Sequence, residues 1–275
     1  MAASVLEGRR LGLIGAGRMA EALARGVTAS GAVPPERITA SDPDESRRRA
    51  LAALGVRVVA ENAAAAGASD IVVLAVKPQA LPGVLDGLAG SIRPEHLVVS
   101  IAAGVPTAFI ESRLPPPARV VRVMPNAPMQ VGRGAAALAR GARAGADDIA
   151  VALALFSTSG VACEVAESDL DAVTALSGSG PAYAFFLAEC MIEAGVAEGL
   201  DGGLARALVA ATIEGAGALL GANDEAPAEL RRRVTSPGGT TQAAFERIDD
   251  AGVRAHLVAA VRRAAERSRE LASGA

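Results

Sequence analysis

Gly15, Gly17 and Ala20 stand at the spacing G-x-G-x-x-A, after the apolar run Leu11 to Ile14 and ahead of a helical pattern carried by Met19, Leu23 and Val27. In a strand, turn and helix of this kind the first glycine makes the turn and the second lets the backbone approach a pyrophosphate. The small third residue lets the helix pack on the strand. Free N–H groups and the dipole at the helix start then hold the anion. The chemistry expected is dinucleotide binding, and the bland alternative is a plain strand-to-helix turn. An acidic residue about 20 positions further on usually holds the ribose hydroxyl. Asp42 fits that place, and before Pro43 it fits equally well as the cap of a helix through Arg47 to Leu54.

A second group lies in VTSPGGTTQAAF, Val234 to Phe245. Pro237, Gly238 and Gly239 open a helix with bare N–H groups, a cradle for a carboxylate or phosphate, and Thr240 and Thr241 set hydroxyls beside it. A helix start capped by Ser236, with proline in its first turn, has the same signature. What is missing also directs the chemistry. His96 and His256 are the only histidines and sit in no motif, and Lys77 is the only lysine among 27 basic residues. Reducing a ketone usually needs a positioned His or Lys as proton donor. Hydroxyacid dehydrogenases of similar build use a lysine in their second domain, where this chain has none. Reduction of a cyclic imine needs less, because the nitrogen arrives protonated from water and the iminium accepts hydride directly.

The elements that must position these groups follow in order. Strands are expected at Leu11 to Ile14, Arg37 to Ser41, Val56 to Ala60, Asp70 to Val76, Leu97 to Ile101, Val120 to Met124 and Ala135 to Leu138, with helices between most of them. DIVVLAV, Asp70 to Val76, is continuously apolar, as expected of a parallel strand covered on both faces. The alternation predicts an α/β fold, a Rossmann-type doubly wound parallel sheet whose ligands sit beyond the carboxyl ends of the strands. Past a short extended stretch at Ala162 to Val165 the pattern is almost wholly helical. The expected division is therefore a dinucleotide-binding domain, 1–162, and an all-α substrate and dimerisation domain, 163–275. Between Gly203 and Gly221 only Arg206 and Glu214 are charged, so that helix needs cover nearly all round. A second copy of the chain is one source of cover; a central place in its own domain is the other.

Composition narrows the partners. With 275 residues, 51% hydrophobic and a net charge of -3, the chain is an ordinary globular sequence with no basic block for nucleic acid or an anionic membrane. Cys163 and Cys190 are the only cysteines, which excludes a disulfide framework and a cysteine zinc site and fits a cytoplasmic location. No stretch reads as a convincing membrane span, and MAASVLEGRR lacks the apolar core of a signal peptide.

Taken together, GLIGAGRMAEAL, AVKPQ from Ala75, SIAAGV from Ser100, MPNAP from Met124, LSGSGPAYAF from Leu176 and VTSPGGTTQAAFE from Val234 closely resemble pyrroline-5-carboxylate reductase. These stretches span both halves of the chain in the right order. The resemblance implies reduction of 1-pyrroline-5-carboxylate to L-proline by NADPH or NADH, in a cytoplasmic homodimer that assembles further into a decamer. It implies that Ile14, Gly15, Ala16, Gly17, Arg18 and Met19 cradle the pyrophosphate and that Asn62 contacts the adenosine side. Ala75, Val76, Lys77 and Pro78, with Ala102, Ala103 and Gly104, would line the nicotinamide half. Ser236, Gly238, Gly239 and Thr240 would hold the substrate carboxylate, and Thr241 would face the ring nitrogen as the catalytic contact. Asp42 departs from the small polar residue common in NADPH-preferring members. A carboxylate there repels a 2'-phosphate and accepts a hydrogen bond from a 2'-hydroxyl, with Arg47 and Arg48 near enough in sequence to offset it.

Overall fold

The computed structural model describes residues 5–273. Eight strands form one sheet: β1 (Leu11–Ile14), β2 (Ile38–Ser41), β3 (Arg57–Val59), β4 (Ile71–Leu74), β5 (Leu97–Ser100), β6 (Arg119–Pro125), β7 (Gly134–Arg140) and β8 (Gly160–Glu164). Their order is β3-β2-β1-β4-β5-β6-β7-β8, so the chain reverses direction across the sheet between β1 and β4. Leu13 pairs with Ala40 on one side and Val73 on the other, which aligns the carboxyl ends of the three central strands. Those ends are where an open α/β sheet binds its ligands.

Both faces of the sheet are covered. Leu13, Val73 and Val121 point into one core, beside α1 (Arg18–Ala29), and the α6 side chains Leu155 and Phe156 join them (α6, Ala146–Ser157). Ile14, Val72, Leu74 and Val98 point into the other. There Leu81, Leu85 and Leu88 of α4 (Leu81–Leu88) lie on one helical stripe and are fully buried. Each such leucine contributes about 1.5–3 kcal/mol over leaving it in water. The remaining helices of this region are α2 (Glu45–Ala52), α3 (Asn62–Gly67), α5 (Thr107–Arg113) and the short α7 (Leu170–Val173).

Two expectations change. The sheet is not wholly parallel, because β6 and β7 pair antiparallel, Val123 opposite Leu138. Only Asn126 to Arg133 separate them, with a 3-10 turn at Ala127–Val131, and a parallel pair needs a far longer crossover. The compact units also divide differently from a boundary at 162/163: among the described residues unit 1 comprises 5–178 and 264–273, and unit 2 comprises Ser179–Arg263. β8 runs through the expected boundary and pairs in parallel with β7, so residues 160–164 belong to the sheet.

Unit 2 is helical: α8 (Gly180–Ala197), α9 (Gly202–Ala222), α10 (Pro227–Arg233), α11 (Thr240–Asp250) and the start of α12 (Val253–Ser273). Asp201 begins α9 as a side-chain cap on the N–H groups of Gly203 and Leu204. Phe185, Phe186 and Leu187 of α8 and Leu208, Leu219 and Leu220 of α9 are exposed, each about half or more. Among the described residues one helix, α9, is long and apolar enough to cross a membrane by length and composition alone. Its charged residues, Arg206 and Glu214, oppose that use.

His96 ties stability to pH. Its ring is buried, Nδ1 accepts the Arg93 N–H at 3.0 Å, and burial together with the Arg93 charge holds its pKa below the ordinary histidine value. The folded chain therefore keeps the ring neutral, whereas the unfolded chain takes up a proton as pH falls through about 6.5. The His96 contribution is complete above that pH and is lost progressively below it, down to the depressed folded pKa. His96→Asn keeps an acceptor near Nδ1 and removes the titration. Urea denaturation at pH 7.5 and 5.5 should show a smaller drop in midpoint for the variant than for the parent.

Candidate functional site

The glycine turn at the end of β1 brings three strand ends together. Gly15 has φ +98°, and its N–H donates to the Ser41 carbonyl at 2.8 Å while the Ala75 N–H donates to the Ile14 carbonyl at 2.8 Å. A Cβ on Gly15 would lie 2.7 Å from the Ala75 carbonyl oxygen, so both the left-handed backbone and the close approach require glycine. Gly17 is different: its conformation is ordinary and nothing lies within 4 Å of where its Cβ would be. It begins α1 with no side-chain cap. Among the described residues the N–H groups of Arg18 and Met19 have no backbone or side-chain acceptor. An open, uncapped helix start edged by glycine is suited to a pyrophosphate.

Asp42 does not cap a helix. α2 starts at Glu45, and its cap is Asp44, which accepts the Ser46 N–H at 2.8 Å. Asp42 is buried and braces the glycine turn: Oδ2 accepts the Ala16 N–H at 2.9 Å and Oδ1 the Asp44 N–H at 2.9 Å. Arg47 stands 3.7 Å from Oδ2, and the Arg48 guanidinium donates to the Asp42 and Pro43 carbonyls. Asn62, the first residue of α3, accepts from the Ser41 hydroxyl at 2.8 Å. Ile14 to Met19, Asp42 and Asn62 are thus assembled around the ends of β1 and β2.

The next two strand ends complete this edge. After β4, Ala75 and Val76 are partly buried, Lys77 is exposed, and Pro78 starts a 3-10 turn. After β5, Ala102 and Gly104 are buried and Ala103 is exposed. Asn126, which follows β6, was singled out only as part of a motif. Its Nδ2 donates to the Ser177 carbonyl and hydroxyl at 3.2 Å each, and its Oδ1 accepts the Ala135 N–H at 2.8 Å. It thereby anchors a π-helical turn, Thr174–Gly178. A separate depression of about 390 Å³, lined by Gly8, Arg10, Glu36, Arg37, Thr39, Arg57 and Ala68, lies at the amino-terminal end of the strands, away from these residues.

In unit 2 the second group forms the start of α11. Gly239 is the cap residue, with no capping side chain, and Gly238 has φ +68°. Two of the N–H groups expected to be bare are engaged: Gly238 donates to the Gln242 side chain at 2.7 Å and Gly239 to the Ser236 carbonyl at 3.0 Å. The N–H groups of Thr240 and Thr241 have no acceptor among the described residues. The open donors therefore sit one to two residues later than the glycines. Gln242, also held to Glu246 at 2.8 Å, shapes the turn that exposes them. Its signal in the sequence was a Gln three residues after the cap position, half of a capping box.

Comparison with known proteins places this arrangement. A family model described as pyrroline-5-carboxylate reductase dimerisation matches residues 167–271, and one described as NADP oxidoreductase, coenzyme F420-dependent, matches residues 10–104. The pyrroline-5-carboxylate reductase of Methanosarcina acetivorans is 46% identical over 267 residues, 97% of this chain and 99% of that protein. The chain belongs to the pyrroline-5-carboxylate reductase family. The enzyme of that name from Pseudomonas aeruginosa is 44% identical over 96% of this chain and 97% of its own. Among solved structures, the Coxiella burnetii pyrroline-5-carboxylate reductase superposes with a TM-score of 0.89 at 33% identity, covering 96% of this chain and 98% of that one. The Plasmodium falciparum pyrroline carboxylate reductase, solved with NADP bound, gives 0.86 at 29% identity, covering 97% and 99%.

Proposed function

We propose that this chain reduces 1-pyrroline-5-carboxylate to L-proline with hydride from NAD(P)H, the last step of proline biosynthesis. The observation that carries this reading is near full-length identity to named reductases, 46% over 97% of the chain. The open donors at the two glycine-edged helix starts support it. NAD(P)H supplies the hydride. In unit 1 the N–H groups of Arg18 and Met19 would take the pyrophosphate, Asp42 and Asn62 the adenosine side, and the 75–78 and 102–104 segments the nicotinamide half. Lys77 is then a cofactor contact and not a base. In unit 2 the substrate carboxylate would sit at the start of α11, held by the N–H groups of Thr240 and Thr241 and by Ser236, with Gly238 and Gly239 shaping the approach. The Thr241 hydroxyl would orient the ring nitrogen. No side chain here needs a shifted pKa for this role, because the iminium proton comes from solvent.

The chain forms oligomers through its helical region. We assign α8 and α9 as the two-fold surface, since their exposed phenylalanines and leucines are too many for a solvated face. The decamer and the cytoplasmic location belong to the same proposal.

Four outcomes follow. Absorbance at 340 nm should fall with 1-pyrroline-5-carboxylate and not with a panel of 2-keto acids. In that assay Thr241→Ala should lower kcat by about ten- to a thousandfold while NADPH binding, read by fluorescence quenching, is nearly intact; parent-like activity from pH 6 to 9 would remove Thr241 from the site. Asp42→Ser removes a negative charge and should shift the kcat/KM ratio toward NADPH over NADH by a factor on the order of ten. Because it also releases the Ala16 N–H, both cofactors should bind more weakly than if charge alone had changed. Ile213→Glu on α9 strands a carboxylate in the assigned surface, and light scattering should report a smaller particle or loss of soluble protein.

A further inference from the structure

The segment from Glu167 to Asp171 carries three carboxylates, and two of them, Glu167 and Asp171, reach distant parts of the chain that the proposed reaction does not use. Both oxygens of Glu167 accept hydrogen bonds from one residue 60 positions away. Oε1 accepts the Thr107 N–H at 2.7 Å and Oε2 accepts the Thr107 hydroxyl at 2.7 Å. Thr107 is the first residue of α5, and Pro106, at the cap position, offers no side-chain oxygen. Glu167 therefore caps this helix from a distant stretch of chain. The buried Arg122 of β6 stands 3.4 Å from its Oε1 and balances the charge. Asp171, one helical turn further on, accepts the buried Ser268 hydroxyl at 2.6 Å.

Ser268 lies in the last turns of α12, which belong to unit 1. There Leu271 and Ala272 come up against Gly104, within 3.8 Å of where its Cβ would be. Gly104 has φ +75° and turns the chain between β5 and α5. Leu170, fully buried against Ala137 and Ala139 of β7, fixes the carboxylate-bearing segment to the sheet. The loop from Ile101 to Thr107 is thus held at its middle and at its carboxyl end by one segment, directly through Glu167 at Thr107 and through Asp171, Ser268 and the end of α12 at Gly104.

We propose that Glu167, Asp171 and Ser268 are positioning residues that hold the 101–107 loop for the nicotinamide half of the cofactor. This rests on the reading that Ala102, Ala103 and Gly104 line that half. A seven-residue loop with a left-handed glycine at its centre samples many conformations unless that glycine and the entry to the helix after it are tied. Each lost tie admits geometries in which the loop no longer presents one face, and the affinity for the nicotinamide half falls by the population lost.

The test uses the full-length chain. Ser268→Ala and Asp171→Ala should speed hydrogen–deuterium exchange over residues 101–107 without cofactor. They should weaken binding of reduced nicotinamide mononucleotide about fivefold and leave adenosine 2',5'-bisphosphate within about twofold. Ser268→Thr keeps the hydroxyl and Asp171→Asn keeps an acceptor oxygen, so both should behave as the parent. Unchanged exchange in both alanine variants overturns the proposal, as does exchange that rises evenly across all of unit 1. Ala103→Leu separates the two readings. If it leaves mononucleotide binding intact, the cofactor assignment of the loop fails, while the exchange data still judge the grip. If it blocks binding and the alanine variants bind as the parent does, the positioning role alone fails.

Discussion

The close passage of Gly15 beneath the Ala75 carbonyl is the constraint on which the rest of unit 1 depends. With 2.7 Å between that oxygen and a notional Cβ, no other residue lets the ends of β1 and β4 meet at this depth. The turn is then locked from the β2 side by the Ser41 carbonyl and the Asp42 carboxylate. Three strand ends are thereby held in one place, and the first turn of α1 is aimed over them. Because both faces of the sheet are packed, the strands below cannot shift to relieve a change in this turn.

The same device appears in each unit. α1 and α11 both start at a glycine with no capping side chain, and both leave N–H groups open. A helix elsewhere in this chain, α2, shows the alternative, with Asp44 filling the role and closing the start to ligands. With glycine at the cap position, leaving the side-chain cap out costs a helix roughly a few tenths of a kcal/mol, and a bound anion restores it. An uncapped start is therefore stabilised by the ligand it awaits, which links binding to local order.

Unit 2 shows the opposite balance. α8 has no buried residue and α9 buries only Ala205 and Val209, although both are strongly apolar. A single copy leaves these side chains in water, and a match to a dimerisation family over residues 167–271 accounts for their composition. The matched region begins at Glu167 and ends at Leu271, residues that lie in unit 1 beside the 101–107 loop.

Much of this was determined by the sequence alone, wherever a pattern is local. The glycine spacing, the apolar run at β4 and the proline and glycines before α11 constrain backbone within a few residues, so strands, helices and both helix starts were legible with their positions. The family followed from six such stretches in order. Tertiary structure decided what depends on residues far apart in the chain. Whether Asp42 capped α2 or faced the glycine turn turned on a bond to Ala16, 26 positions earlier, and no local pattern encodes it. The antiparallel β6–β7 pair and the place of β8 in the sheet were likewise settled by hydrogen bonds between strands. The capping of Thr107 by Glu167 is the clearest case. A carboxylate becomes a helix cap only when the fold brings it there, and the sequence around Thr107 carries no trace of it.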